Sequence, residues 1–176
     1  MRAAIAAWAY AGTGLPTGKV IWAGQGGARP PAPYVSLEII SGDQMHGMDW
    51  VDIEDVASPV DGAEIAHVVR GPRTCTLSVQ CFGLTVVATD GTAGDSPLAL
   101  LARMRASMRL PTIRAALLAA GVGVGAFGDV ASVGALISTV TSEPRAAFTV
   151  TLNYVSEVSE TGTFIEQAEI EGTLEP

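Results

Sequence analysis

Arg145-Ala146-Ala147-Phe148-Thr149-Val150-Thr151-Leu152-Asn153-Tyr154 is the stretch on which the fold turns. Ala146, Phe148, Val150, Leu152 and Tyr154 alternate with Arg145, Thr149, Thr151 and Asn153. A period of two is what a strand with one face in a core requires. Arg73 to Cys81 repeats the pattern: Cys75, Leu77, Val79 and Cys81 share one parity, and Thr74, Thr76, Ser78 and Gln80 take the other. On one strand the two cysteines stand ~20 Å apart along the chain, too far to join each other. They read as small core residues, at home in a reducing compartment.

Working outward, Val35, Leu37 and Ile39 alternate with Ser36 and Glu38 as a further half-buried strand. Short strands are expected at Lys19 to Ala23, Met48 to Val56 and Glu64 to Arg70. Gly71-Pro72 is expected to turn the last of these into Arg73 to Cys81, making a long hairpin that continues past Gly83 as Leu84 to Thr89. Helical signals differ. Ile5 and Trp8 sit three apart within Met1 to Gly12, which reads as a short amphipathic helix; its single Arg2 and Ala-rich run suit an export leader poorly. Ser96-Pro97 is a helix start, and Leu100, Leu101, Met104 and Met108 fall on one side of the helix it opens. Pro111 interrupts, and a second helix runs from Thr112 to Gly121. A Gly-rich connector then reaches Asp129, and strands are expected at Val133 to Val140 and Phe164 to Leu174. The sum is an α+β fold: a mostly antiparallel β-sheet packed against two or three helices, with a protruding β-hairpin. No internal repeat, heptad or low-complexity linker divides it, so residues 1–176 read as a single domain.

Hydrophobic residues make up 48 % of the chain and charged residues 16 %, well short of the usual quarter. A surface this poor in charge is expected to be covered in part by other subunits. No stretch approaches the roughly 18 apolar residues of a membrane span. The net charge is −8, with Lys19 the single lysine, which argues against nucleic-acid binding as the main task. Charge is also unevenly spread. Asp43 to Glu64 holds seven acids and no Lys or Arg; Glu143 to Glu175 holds seven acids against Arg145. Between them Arg103, Arg105, Arg109 and Arg114 form a stretch without an acid. Such blocks suit head-to-tail contacts in which one face meets a different face of the next copy, and equally suit solvated acidic faces and a basic helix.

Catalytic and ligand motifs fail on context. Gly123-Val124-Gly125-Ala126-Phe127-Gly128 matches G-x-G-x-x-G as a string, but it follows a helix and precedes a strand, the reverse of the order the motif needs. Around Gly18-Lys19 the phosphate-loop pattern lacks its first glycine and its Ser or Thr, where Thr13 and Val20 stand. Asp43, His46 and Asp49 could hold a metal on a helix, but Gly42, Gly47 and Trp50 point to a loop entering a strand. His67, between Ile65 and Val69, reads as a half-buried histidine of a strand face; Glu166, Glu169 and Glu171 read as solvated strand residues. The expectation is a protein without catalytic, cofactor or metal site, and not an enzyme.

The run Val20-Ile21-Trp22-Ala23-Gly24-Gln25-Gly26-Gly27-Ala28-Arg29-Pro30-Pro31-Ala32-Pro33-Tyr34-Val35 resembles the opening of bacteriophage neck, or tail-terminator, proteins. Glu143-Pro144-Arg145-Ala146-Ala147-Phe148 looks like the strand opening of that family, and Ile165 to Gly172 is similar to its last strand. The resemblance implies a virion protein, assembled in the host bacterial cytoplasm, that forms a homomeric ring of six subunits at the end of the tail tube. Such a ring would stop tail polymerisation and present the head-tail joining surface. Its partners would be further copies of itself, the tail tube protein and a head-tail connector or adaptor. DNA would pass through a carboxylate-lined lumen without specific binding, with no membrane and no cofactor involved. The alternatives are a head-completion adaptor on the portal side, or a small ligand-binding α+β domain with Trp22, Trp50 and His67 lining a pocket. Expected interface residues are Trp22, Gln25, Arg29, Pro30 and Tyr34 of the Pro-rich loop, Arg70 and Arg73 at the expected hairpin turn, and Arg103, Arg105 and Arg109. Rigid prolines lower the ordering cost of docking, and Trp22 and Tyr34 are side chains that anchor interfaces. Equally, Trp22 could cap the core while the prolines protect a sheet edge. The Gly-rich connector, Gly121 to Gly128, departs from the family pattern.

Overall fold

The computed structural model describes residues 1–56, 64–83, 96–133, 135–136 and 142–163. In chain order these form α1 (Arg2–Thr13), β1 (Val20–Trp22), β2 (Tyr34–Met45), β3 (Trp50–Val56), β4 (Glu64–Phe82), α2 (Pro97–Ser107), α3 (Pro111–Ala119), β5 (Gly123–Phe127), β6 (Ala131–Ser132), β7 (Ala135–Leu136), β8 (Ser142–Glu143) and β9 (Arg145–Thr163). Seven strands make one sheet in the order β1-β2-β4-β9-β5, with β3 also on β4 and β6 also on β9; β7 and β8 pair separately. The ladders of β3 with β4 and of β5 and β6 with β9 are antiparallel, and β1 runs parallel to β2. The protein is thus α+β with a mostly antiparallel sheet and three helices.

Two compact units can be distinguished, and β4 and β9 contribute residues to both. The first comprises Met1–Gln44 and Thr74–Tyr154. Its core takes Val35 and Leu37 from β2, and Cys75, Leu77, Val79 and Cys81 from β4. Phe148, Val150 and Leu152 come from β9, as the two-residue period requires. Helices cover them. Ile5, Trp8 and Ala9 of α1 and Leu100, Leu101 and Met104 of α2 are buried, and the Trp8 indole N–H lies 3.1 Å from Ser107 Oγ and 3.3 Å from the Met104 carbonyl. Ser96 caps α2, its hydroxyl accepting from the Ala99 N–H at 3.2 Å, and Pro111 opens α3 at a position whose N–H has no helical partner. Both cysteines are free and buried; desolvation pushes the Cys81 thiol up to about 12 and raises that of Cys75 as well.

The second unit comprises Met45–Arg73 and the chain from Val155 on. Its described frame is the ladder of β3 on β4, from Trp50 opposite Arg70 to Val56 opposite Glu64. Gly71-Pro72 is therefore not a turn: β4 runs through it unbroken, and residues 57–63, between β3 and β4, lie outside the described residues. Proline is tolerated there for a local reason. A strand residue aims its N–H and C=O at the same neighbour, and the Pro72 carbonyl accepts from the His46 N–H at 3.0 Å. The missing donor thus falls just beyond the β3 ladder and costs no ladder bond. The buried parity also changes across this point, from Ala66 and Val68 to Cys75, Leu77, Val79 and Cys81, which leaves His67 exposed rather than half-buried.

A second correction concerns the Gly-rich connector, which is strand β5. Val124 faces Leu152 and Phe127 faces Val150, so β5 holds one residue more than β9 over that span, a bulge. Its glycines permit close approach: a Cβ on Gly125 would meet the Thr151 carbonyl oxygen at 3.3 Å, and one on Gly128 would meet Thr149 Oγ1 at 2.7 Å. The expected strands at Leu84 to Thr89 and Phe164 to Leu174, most of that at Val133 to Val140, and Glu166, Glu169 and Glu171 lie outside the described residues.

Candidate functional site

Three surfaces carry the expected contact residues. The first is the loop from Gly24 to Pro33. The Val35 N–H donates to the Lys19 carbonyl at 2.7 Å and the Ala23 N–H to the Leu37 carbonyl at 2.8 Å, fixing both ends of the loop to neighbouring strands. Lys19 Nζ reaches the Pro31 carbonyl and ties the middle down. Trp22, Gln25, Arg29 and Tyr34 meet around a hollow of about 380 Å³ whose floor includes Phe82. Their exposures differ: Gln25 and Arg29 are exposed, Trp22 and Pro30 half-buried, and Tyr34 is buried and stacked on Phe82. Burial pushes the Tyr34 phenol above its ordinary value, an effect that nearby Arg29 opposes. Trp22 carries the Arg2 guanidinium 5.2 Å from its ring centre.

The second surface is the β3–β4 ladder. Arg70 is held by three carboxylates, Asp52 at 2.9 Å, Glu54 at 2.7 Å and Glu157 at 2.8 Å, which raise its pKa further above its already high value. Arg73 grips Asp49 with both terminal nitrogens at 2.5 and 2.8 Å, and this hydrogen bonding holds the Asp49 carboxyl below the usual range. Both arginines are internal clasps of this unit. On the strand parity opposite to Arg70, Asp52 and Glu54, Val51 opposes Val69 and Ile53 opposes His67; Val51 is 61 % and Ile53 66 % exposed. Val69 is exposed as well. Sequence reading does not single out these three, because alternation shows that two faces differ but not which is covered.

On the third surface α2 divides its arginines. Arg103 turns toward α1 and bonds the Gly12 and Thr13 carbonyls, satisfying helix-end acceptors. Arg105 and Arg109 instead border an open groove of about 890 Å³ together with Arg114 of α3. Leu98, Met108, Val124 and Phe127 give it apolar walls, and Asp129, 3.5 Å from Arg105, is its one carboxylate. Leu98, Leu110 and Leu118 of this helical region are exposed. The groove walls from β5 escape sequence reading because glycines at that density look like a connector.

Asp43, His46 and Asp49 do not gather: Tyr154 donates to Asp43 at 2.8 Å, and Asp49 belongs to Arg73. The described residues contain no cluster of three or more His, Cys, Asp or Glu able to hold a metal, and no helix long and apolar enough to cross a membrane. What they do present is a clasped loop, an apolar ribbon and a basic-rimmed groove. The chain belongs to the phage neck terminator protein family, whose model matches residues 1–176. None of the curated proteins matches it. Membership makes the chain a structural component of the bacteriophage virion at the neck, with a role in tail completion and contacts to other neck and tail proteins.

Proposed function

We propose that the protein closes the end of the phage tail tube as a homomeric ring of six copies, halts tube growth and offers the surface to which the head-side connector joins. It works by binding without turnover and takes no cofactor. The observation that carries this reading is the family match over the whole chain, residues 1–176. Open apolar side chains on the helices and on the β3–β4 ladder support it, because a chain with 16 % charged residues needs partners to cover them. Gln25, Arg29, Trp22 and Pro30 on the loop, and Arg105 and Arg109 at the groove, are the proposed contact residues; Tyr34, Arg70, Arg73 and Arg103 hold those surfaces in shape. The acidic chain suits a lumen that lets DNA slide past. Assembly in the bacterial cytoplasm accords with two free thiols. The chain is taken as one folding domain, since β4 and β9 serve both units.

Negative-stain microscopy of the purified protein with and without tail tubes tests the reading. Rings, or capped tube ends, are expected. Bare tube ends, with binding to the connector instead, would make the protein a head-completion adaptor on the portal side.

A further inference from the structure

The α2–β5 groove is open on both counts that matter for docking. Val124 and Phe127 of its wall are half-buried, and Leu98 is 44 % exposed. Its charge is open too. Arg105 has the almost fully exposed Asp129 at 3.5 Å, a pair of little weight, and Arg109 and Arg114 have no carboxylate partner among the described residues. Uncovered apolar side chains beside arginines without a counter-charge call for an occupant that is apolar and acidic at once.

The carboxylates of the β3–β4 ladder are poor candidates, because Arg70 and Arg73 already hold Asp49, Asp52, Glu54 and Glu157. Residues 164–176, outside the described residues, suit the groove better. They carry Glu166, Glu169, Glu171 and Glu175 with no Lys, Arg or His, interleaved with Phe164, Ile165, Ile170 and Leu174. No other stretch outside the described residues has more than two acids. Laid extended in a groove, the segment would turn Ala168, Ile170 and Leu174 to the wall and Glu169, Glu171 and Glu175 to the arginines.

We infer that residues 164–176 of one copy dock in the Arg105–Arg109–Arg114 groove of a neighbouring copy. The inference rests on the ring reading and names a contact that would hold neighbours together. A neighbour is the source because β9 runs on from the groove. Leu152 faces Val124 of the groove wall, and the strand continues to Thr163, ~36 Å further at ~3.3 Å per residue. The segment beyond spans at most ~45 Å, so doubling back would use most of its length before the groove is met. A segment held by a different surface of the next copy is a head-to-tail contact, which repeats into a ring where a self-complementary patch would stop at a pair.

Two full-length variants test it: Ala102→Cys, exposed on the groove wall, and Thr173→Cys in the segment. The native Cys75 and Cys81 are buried and do not compete. Co-assembled and treated with a flexible bismaleimide, the two variants are expected to give a covalent dimer under denaturing conditions. Each variant alone should stay monomeric. Arg105→Glu with Arg109→Glu in the Ala102→Cys chain should abolish the dimer, and Glu169→Arg with Glu171→Arg in the Thr173→Cys chain should restore it, a rescue that a misfolded variant could not show. Rings without a mixed dimer, or a dimer indifferent to the charge reversal, would overturn the contact and leave the ring intact as a function. So would a chain carrying both cysteines that links only within itself, because its segment would then lie in its own groove. A wild-type chain that neither forms rings nor caps tubes would remove the ring and this contact with it.

Discussion

Tyr34 and Phe82 stack face to face, with ring centroids 4.7 Å apart and planes 7° from parallel. The pair joins the end of the Pro-rich loop to the end of β4, and Arg145 of β9 lies 4.5 Å from the Phe82 ring centre. Three segments distant in sequence thus share one aromatic ring. Phe82→Ala should lower stability by about 3 kcal/mol, the usual order for removing a buried Phe. Urea unfolding should show a lower midpoint with an unchanged slope. A shift below ~1 kcal/mol would mean that the ring is not a structural anchor of the loop.

Gly12 sets how closely α1 meets α2. A Cβ there would lie 2.7 Å from Ser107 Oγ and 2.9 Å from the Met104 Cα, and the latter is backbone that cannot swing aside. Gly12→Ala should therefore destabilise the protein by about 1–3 kcal/mol despite the higher helix propensity of alanine. Trp8 fluorescence should shift with it, because the indole bonds to the same two residues. Unaltered emission together with raised stability would contradict this packing.

The sequence carries the core more fully than the surfaces, for a physical reason. Alternation at Ala146–Leu152 and Cys75–Cys81 and the Ile5–Trp8 spacing are dictated by burial, which leaves a period in the chain, and the Ser96-Pro97 cap is local chemistry that two adjacent residues spell out. Gly71-Pro72 misleads because the two residues most typical of turns are also tolerated where a strand changes neighbours. Gly123–Phe127 misleads because its glycines, typical of a loop, serve here to bring two backbones together. Of the selected interface residues, Tyr34, Arg70, Arg73 and Arg103 are engaged within the chain, since aromatic and arginine side chains brace loops, strands and helix ends as readily as they bind partners. The exposed Val51–Ile53 stripe leaves no sequence signal of its own, because an apolar residue reads the same whether its cover is the chain or a neighbour.

Thiol chemistry should report the core directly. Cys75 and Cys81 are buried, and desolvation pushes Cys81 to about 12, so at pH 8 its thiolate is a minute fraction. Ellman titration of the native protein should count no fast thiol, and two after unfolding in guanidinium. Prompt reaction of either one without denaturant would refute the burial of β4.

The Asp49–Arg73 clasp predicts a particular acid response. The folded carboxyl titrates below its unfolded value of about 3.9, so its contribution is complete above that value and fades as pH falls through the lower folded one. The melting-temperature difference between wild type and Asp49→Ala should be constant above pH 5 and shrink below pH 4. A difference that persisted at pH 2 would assign the effect of the substitution to packing rather than charge.

Lys19, fastened to the Pro31 carbonyl, is the one ε-amine on the chain. Apart from the amino terminus, an amine-directed dye has a single place to settle on each copy, at the foot of the Pro-rich loop. Nature has in effect supplied a one-per-subunit tag, so the number of bleaching steps from a single labelled particle, with the terminus blocked, counts how many copies that particle carries.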